Sequence, residues 1–309
     1  MKTFNKVADV IQWRKNEIGC REKVTIGFVP TMGCLHQGHA TLIRNSKKEN
    51  DFTVVSIFVN PSQFAPDEDL DQYPRTMEND VKLLESLGVD ALFAPTAKEL
   101  YPQGIPLDVE KQHGPFVTVL GISEMLEGTT RPNFFRGVAT VVMKLLNIVS
   151  PDFAYFGQKD IQQFKVLDVM VNELFMNTKL ILVPIVRNAD GLALSSRNKY
   201  LCDETLELST NIFKGLNDAS EKLKLIDLGE SLSHSKITST VLDIWKPLIE
   251  SGDFNVDYLS FAKWDTLQEL ENITSEDVKA KIVISCAVYV TDRHDKSTVV
   301  RLIDNIICQ

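Results

Sequence analysis

The chain has 309 residues, 44% of them hydrophobic and 24% charged, enough to bury a substantial core and to form two domains. A net charge of -9 with no basic run disfavours a nucleic-acid partner, and no apolar segment reaches the roughly 20 residues of a membrane helix. The five cysteines are scattered and never form a C-x-x-C pair, which argues against a disulfide framework or a structural zinc; with no apolar signal segment at the N-terminus, reduced thiols and a cytoplasmic location are expected.

In chain order, residues 24–29 read as an apolar strand, 40–48 as a helix, 52–59 as a strand, 76–87 as a helix stopped by Gly88, and 91–94 as a strand. This alternation predicts an α/β fold with a Rossmann-like parallel sheet. Residues 98–118 read as irregular. A long apolar helix follows over 135–149, then a strand over 153–156, a helix from Ile161 and a strand over 180–186. In the helix after Asp160, Ile161, Phe164, Leu167, Val171 and Leu174 fall on one face, with Gln163 beside the seam. Beyond Arg187 come helices over 204–225 and 235–249 and strands around 256–261, 282–291 and 299–307, the pattern of a smaller α+β domain. The expected division is 1–186 and 187–309, with the segment 190–198 at an inter-domain cleft. The charged stretch 218–236 reads as solvated helix and loop.

The most informative segment is Pro30-Thr31-Met32-Gly33-Cys34-Leu35-His36-Gln37-Gly38-His39, two imidazoles three residues apart where a strand gives way to a helix. Gly33 and Gly38 permit tight turning and close backbone approach, and the first amides of a helix beginning near His39 are expected to point outward, open to an anion such as phosphate. Four more segments carry unusual polar chemistry: Phe58-Val59-Asn60-Pro61-Ser62-Gln63-Phe64, Tyr73-Pro74-Arg75-Thr76, Phe156-Gly157-Gln158-Lys159-Asp160, and Asp190 to Asn198 with Leu194, Ser195, Ser196 and Arg197 at its centre. In open α/β sheets ligands sit outside the carboxyl ends of strands, where most of these segments fall. Lys159 offers an ammonium to phosphate. Asp160 either caps the following helix or accepts from a ribose hydroxyl. Ser195, Ser196 and Arg197 combine two hydroxyl donors with a fixed charge, and Gln63 and Gln163 offer neutral amides suited to a hydroxylated substrate.

Taken together, these blocks resemble the pantothenate synthetase family of H-x-G-H nucleotidyltransferases, in the family order and over nearly the full chain. Phe134 stands where the family commonly has a histidine, and Cys34 where a small or amide residue is usual; an inert buried thiol is the simpler reading of Cys34. The resemblance implies an ATP-dependent ligase. ATP and (R)-pantoate form pantoyl-adenylate and pyrophosphate, then the amine of β-alanine displaces AMP to give pantothenate.

On this resemblance His36 and His39 donate to phosphate oxygens that gain charge as the α–β bond breaks, with His39 the leading proton donor and Lys159 the third catalytic group. ATP is bordered by Met32, Gly33, Cys34, Leu35, Gln37, Gly38, Gly157, Gln158, Asp160, Val186 and Leu194, and its β and γ phosphates are held by Lys159, Ser195, Ser196 and Arg197. Gln63 and Gln163 bind pantoate, and Gln63 also serves β-alanine. No dense carboxylate cluster offers a metal cage, so Mg²⁺ is expected to arrive with ATP. The loop 67–73 and movement of the C-terminal domain are expected to exclude water. A homodimer is implied, with a sheet edge or the helix over 134–149 as candidate surfaces. The rival readings are an adenylyltransferase acting on a phosphorylated acceptor, and a tRNA-binding relative of class I synthetases, which the acidic charge disfavours.

Overall fold

The computed structural model describes residues 1–19, 23–65, 70, 71 and 73–309. By its own contacts the chain forms two compact units, one of residues 1–158 and 162–184, the other of 159–161 and 185–309.

The first unit contains strands β1 (Lys2–Phe4), β2 (Ile26–Thr31), β3 (Phe52–Ile57), β4 (Ala91–Phe93), β5 (Phe153–Gly157) and β6 (Lys179–Val183). Its helices are α1 (Val7–Trp13), α2 (Gln37–Glu49), α3 (Met77–Ser86), the single turns α4 (Ala97–Leu100) and α5 (Glu127–Thr130), α6 (Phe134–Val149) and α7 (Ile161–Glu173). The sheet is six-stranded and parallel, in the order β1-β4-β3-β2-β5-β6. Both faces are buried, so its strands are apolar nearly throughout, and neighbouring residues serve opposite cores. Phe28, Val54, Phe93 and Phe156 pack with Val138, Val142 and Leu146 of α6 and Leu167 of α7. Val29, Val55, Leu92 and Tyr155 pack with Leu42 and Ile43 of α2 and Leu84 of α3. After β4 the chain returns to the far side of β2, so β2 and β5 flank the point where strand order reverses, which is where such sheets leave a crevice.

The parallel α/β sheet matches expectation, with several corrections of detail. β1 is an unpredicted edge strand, too short to carry a pattern, with Lys2 N donating to Asp90 O at 2.9 Å. β2 starts and ends two residues later than predicted. Leu174 lies past the end of α7 and is 52% exposed rather than on its buried face. The apolar face of α6 belongs to the unit's own core, which removes the main reason for reading that helix as a dimer surface.

The second unit contains α8 (Asp203–Lys224), β7 (Ser231–Ser233), α9 (His234–Glu250), β8 (Phe254–Lys263), β9 (Asn272–Thr274), α10 (Ser275–Ala280), β10 (Ile282–Thr291) and β11 (Val299–Cys308). β8, β10 and β11 form an antiparallel sheet with β10 central, and β7 pairs with β9. Ile284, Cys286 and Val288 of β10 pack with Leu216 of α8 and with Val241 and Trp245 of α9. Gly215 is what allows the two helices to meet: a Cβ there would lie 2.5 Å from Trp245 Nε1, which donates to Asn211 O. Cys34, Cys202, Cys286 and Cys308 are free thiols; Cys20 lies outside the described residues. No helix among the described residues is long and apolar enough to cross a membrane.

Candidate active site

In the first unit the chain leaves β2 through Met32 and enters two consecutive left-handed residues, Gly33 (φ 84°) and Cys34 (φ 51°). Such a turn aims successive amides at one point, and here that point is the Asp80 carboxylate of α3. Asp80 Oδ2 accepts from Cys34 N at 3.0 Å and Oδ1 from Leu35 N at 2.8 Å, while the Thr76 hydroxyl donates to the same group. The carboxylate is 3% exposed. Gly33 is needed twice over, for its φ and because a Cβ would press on Asp80 Oδ2 and Ile57 Cγ2 at 3.2 Å. Cys34 is buried, so any contact it makes with a nucleotide is through its backbone.

α2 begins at Gln37, earlier than the apolar pattern suggested, because the two histidines cap it. His36 is the N-cap: its Nδ1 accepts from Gly38 N at 3.1 Å, and His39 Nδ1 accepts from His36 N at 3.3 Å. Because the helix begins at Gln37 and not near His39, Gly38 is one of its first residues, and its amide is taken by an imidazole. With Nδ1 an acceptor in each ring, the neutral tautomer carries its proton on Nε2. The ring centroids are 4.2 Å apart. Gly38 makes room for this arrangement, since a Cβ there would come within 2.8 Å of His36 Cε1.

Beside this loop, Pro61–Gln63 forms a 3₁₀ turn after β3, capped by Asn60. The turn presses on α6 so closely that a Cβ on Gly137 would lie 2.1 Å from Ser62 O, which explains a glycine three residues into that helix. Asn60 Nδ2 donates to Gln63 Oε1 at 2.9 Å, and Gln63 Nε2 reaches Met32 Sδ at 3.9 Å, joining the glutamine to the histidine loop. Arg131 holds Gln63 O at 3.1 Å, with its guanidinium 4.0 Å from the Phe134 ring centroid. Phe134 thus stacks a cation. Gln163 is half-buried at the start of α7; its neighbour Gln162 is structural, accepting from Glu127 N and donating to Ile122 O and Met125 O. Gly157 closes β5, and a Cβ on it would meet nothing within 4 Å, so its backbone is open to close approach. The histidine loop, the Gln63 turn and Gly157 thus follow the carboxyl ends of three adjacent strands, β2, β3 and β5.

In the second unit Lys159 lies in a 3₁₀ turn, Gln158–Asp160, with its ammonium 3.9 Å from Asp160 Oδ1 and its carbonyl accepting from Asn305 Nδ2 at 3.0 Å. The segment from Val186 to Leu194 folds back on itself: Leu194 N donates to Val186 O, and Asn188 Oδ1 accepts from Asp190 N and Leu192 N. Arg187 anchors it through a bidentate pair with Asp304 at 2.6 and 2.8 Å, with its guanidinium over Phe213. The hairpin delivers Ser195 as cap of the turn Ser196–Tyr200; its Oγ accepts from Arg197 N at 3.2 Å, which leaves the hydroxyl proton to be donated elsewhere. Ser196 and Arg197 follow, both half-buried.

Asp80, Arg131 and Tyr101, which touches Asn60, are site residues that the sequence motifs do not include. Only Asp80 has a local signal, four residues beyond Thr76, the N-cap of its helix. Of the loop 67–73, residues 67–69 and 72 lie outside the described residues. No group of three or more His, Cys, Asp or Glu side chains that could hold a metal ion occurs among the described residues.

The family model for pantoate-beta-alanine ligase matches residues 2–307. The chain is 63% identical over 308 residues to the pantoate–beta-alanine ligase of Saccharomyces cerevisiae, covering 99% of this chain and 100% of that one. It is 42% identical to a pantothenate synthetase of Acetivibrio thermocellus, over 100% and 99% of the two chains. Among solved structures, pantothenate synthetase from Thermus thermophilus superposes with a TM-score of 0.83 at 36% identity, covering 99% of each chain. The ligase from Francisella tularensis, complexed with beta-gamma ATP and beta-alanine, superposes with a TM-score of 0.69 at 34% identity, covering 99% of this chain and 97% of that one.

Proposed function

The chain belongs to the pantoate–β-alanine ligase family, and from that premise we propose how its residues divide the work of joining pantoate to β-alanine at the expense of ATP. The activity is the ligation itself; the division of labour is our reading. The observation that carries it is the reciprocal histidine cap at the end of β2, beside the Gln63 turn and the open backbone of Gly157.

In the first step the pantoate carboxylate attacks the α-phosphorus of MgATP, forming pantoyl-adenylate as pyrophosphate leaves. Little covalent work falls to the protein, so the rate depends on positioning and on offsetting charge at the leaving oxygens. The Nε2–H groups of His39 and His36 are the donors to those oxygens. Their Nδ1 atoms are held by backbone amides, so the donors are oriented before ATP arrives. Lys159, Ser195, Ser196 and Arg197 take the β and γ phosphates. Met32 N, Gly157 and Val186 border the nucleotide through backbone, as do Gly33, Cys34, Leu35, Gln37, Gly38, Gln158 and Leu194, and Asp160 meets the ribose. Mg²⁺ enters as part of the ATP substrate, where the phosphates themselves supply oxygen ligands.

Gln63 and Gln163 hold the pantoate hydroxyls and carboxylate, and Gln63 also meets β-alanine. In the second step the neutral amine of β-alanine adds to the acyl carbon and AMP departs with its oxygen. No strong base is needed, because the adenylate is already activated. Residues 1–186 serve as the ATP- and pantoate-binding domain and 187–309 as the lid, in a cytoplasmic homodimer.

The deciding experiment is exchange of labelled pyrophosphate into ATP. Exchange that requires pantoate, with AMP released only when β-alanine is added, supports the adenylate route; exchange driven by β-alanine alone would sink it. A phosphorylated acceptor retaining the nucleotide in its product would select the adenylyltransferase reading.

A further inference from the structure

Asn60 joins the core of the first unit to the substrate turn. It is 1% exposed, and obligate partners fix which way its amide points. The Ser62 N–H, which can only donate, faces Oδ1 at 3.4 Å, and the Gly137 carbonyl, which can only accept, faces Nδ2 at 3.2 Å. Nδ2 is therefore the donor to Gln63 Oε1. The oxygen end of the Gln63 amide is thus engaged, and its Nε2 end, near Met32, is the one offered as a donor. An amide so turned favours a substrate acceptor, a carboxylate or hydroxyl oxygen.

Behind Asn60 stands Tyr101. Its hydroxyl donates to Asn60 Oδ1 at 3.0 Å, a closer approach than that of the Ser62 amide, and lies 3.1 Å from Ser62 Oγ. The ring stacks on Phe58 with centroids 6.5 Å apart, and the Lys144 ammonium lies 3.7 Å from its centroid while donating to Leu100 O. A core role would need only the ring. The hydroxyl is instead buried against the two residues that shape the Gln63 turn, and burial pushes its pKa up, so it remains a donor at neutral pH.

We propose that Tyr101 is a positioning residue for pantoate: its hydroxyl holds Asn60 in the orientation that Ser62 and Gly137 set, and through Asn60 it steadies the Gln63 amide with its Nε2 end toward the substrate. The inference rests on the reading of Gln63 as a pantoate-binding side chain.

The test compares Tyr101→Phe, Gln63→Ala and the double variant in steady-state kinetics of the full chain, with Lys144→Met as a packing control. Tyr101→Phe should raise the KM for pantoate roughly three- to tenfold, the range expected for one neutral hydrogen bond, and leave the KM for ATP within about twofold. In the Gln63→Ala background the same change should add no more than about twofold, because the group it positions is gone. Lys144→Met, which relieves the ring but keeps the hydroxyl, should leave the pantoate KM within about twofold of wild type. A raised pantoate KM in Gln63→Ala but not in Tyr101→Phe overturns the role of Tyr101 alone. An unchanged pantoate KM in Gln63→Ala overturns the reading of Gln63, and this inference with it. Equal increases for pantoate and ATP, or an equal increase in Lys144→Met, would reduce Tyr101 to a packing residue.

Discussion

His36 and His39 cap the same helix reciprocally, the Nδ1 of His36 accepting from Gly38 N and the Nδ1 of His39 from His36 N. A spacing that looks like a pair of loose catalytic groups is thus also the hydrogen-bonding device that starts α2. The same bonds that begin the helix fix the tautomer that leaves each Nε2 as donor.

His39→Ala should lower the adenylation rate in single turnovers by roughly a hundred- to ten-thousand-fold, with only modest loss of ATP affinity, because the proposed bond strengthens as pyrophosphate departs. An unchanged single-turnover rate would remove His39 from the chemistry.

Gly38→Ala should displace the His36 ring, since the added methyl would lie 2.8 Å from Cε1 and 3.0 Å from Nδ1. Loss of the cap should cost about 1 kcal/mol in urea unfolding. The adenylation rate should fall with it; a variant with normal stability and rate would show that the ring has another accessible seat.

Asp80→Asn puts an amide where two backbone N–H groups need acceptors. One of those donors is left facing another donor in a buried site, a loss of about 1–3 kcal/mol in urea unfolding. Thr76→Val, which removes one hydroxyl from the same carboxylate, should cost less.

Lys159→Ala should raise the KM for ATP roughly tenfold or more, the scale of a charged hydrogen bond, and affect that for β-alanine far less. Equal effects on both substrates would argue that the lysine meets no phosphate.

Asp253 gives a pH test. Hydrogen bonding from Arg293, opposed by burial and aided by Ser251, holds its carboxyl down at about 2. A folded-state pKa below the unfolded value means that the stabilisation is complete above about pH 4 and disappears as pH falls toward 2. Asp253→Asn should therefore lower the urea midpoint at pH 7, and the gap from wild type should narrow between pH 4 and pH 2. A gap that stays constant would place the effect in packing.

The repeated strand and helix patterns were readable because both faces of the sheet are covered, so β3 and β5 are apolar nearly throughout and their bounds fall within a residue or two of expectation. What escaped was set by partners far along the chain. β1 has three residues, too few for any periodicity. α2 starts at Gln37, before the first apolar residue, because histidines and not Ser or Asp provide the cap. Asp80 looks like any acidic residue near a helix start until the loop amides 45 and 46 positions earlier are seen against it. Tyr101 sat in a stretch read as irregular, and nothing local announces that its hydroxyl reaches Asn60. Gly137 lies in the long apolar helix that the sequence shows, but the Ser62 carbonyl it admits comes from a turn 75 positions earlier and leaves no local trace.

That close approach of Gly137 to Ser62 has an evolutionary side. A helix that is otherwise ordinary core filler cannot drift at this position without pushing on the turn that presents Gln63. Substitutional freedom along α6 should therefore be lowest at its glycine and greater toward its C-terminal half, and repacking mutations deep in the hydrophobic interior can surface as altered substrate preference before they register as lost solubility.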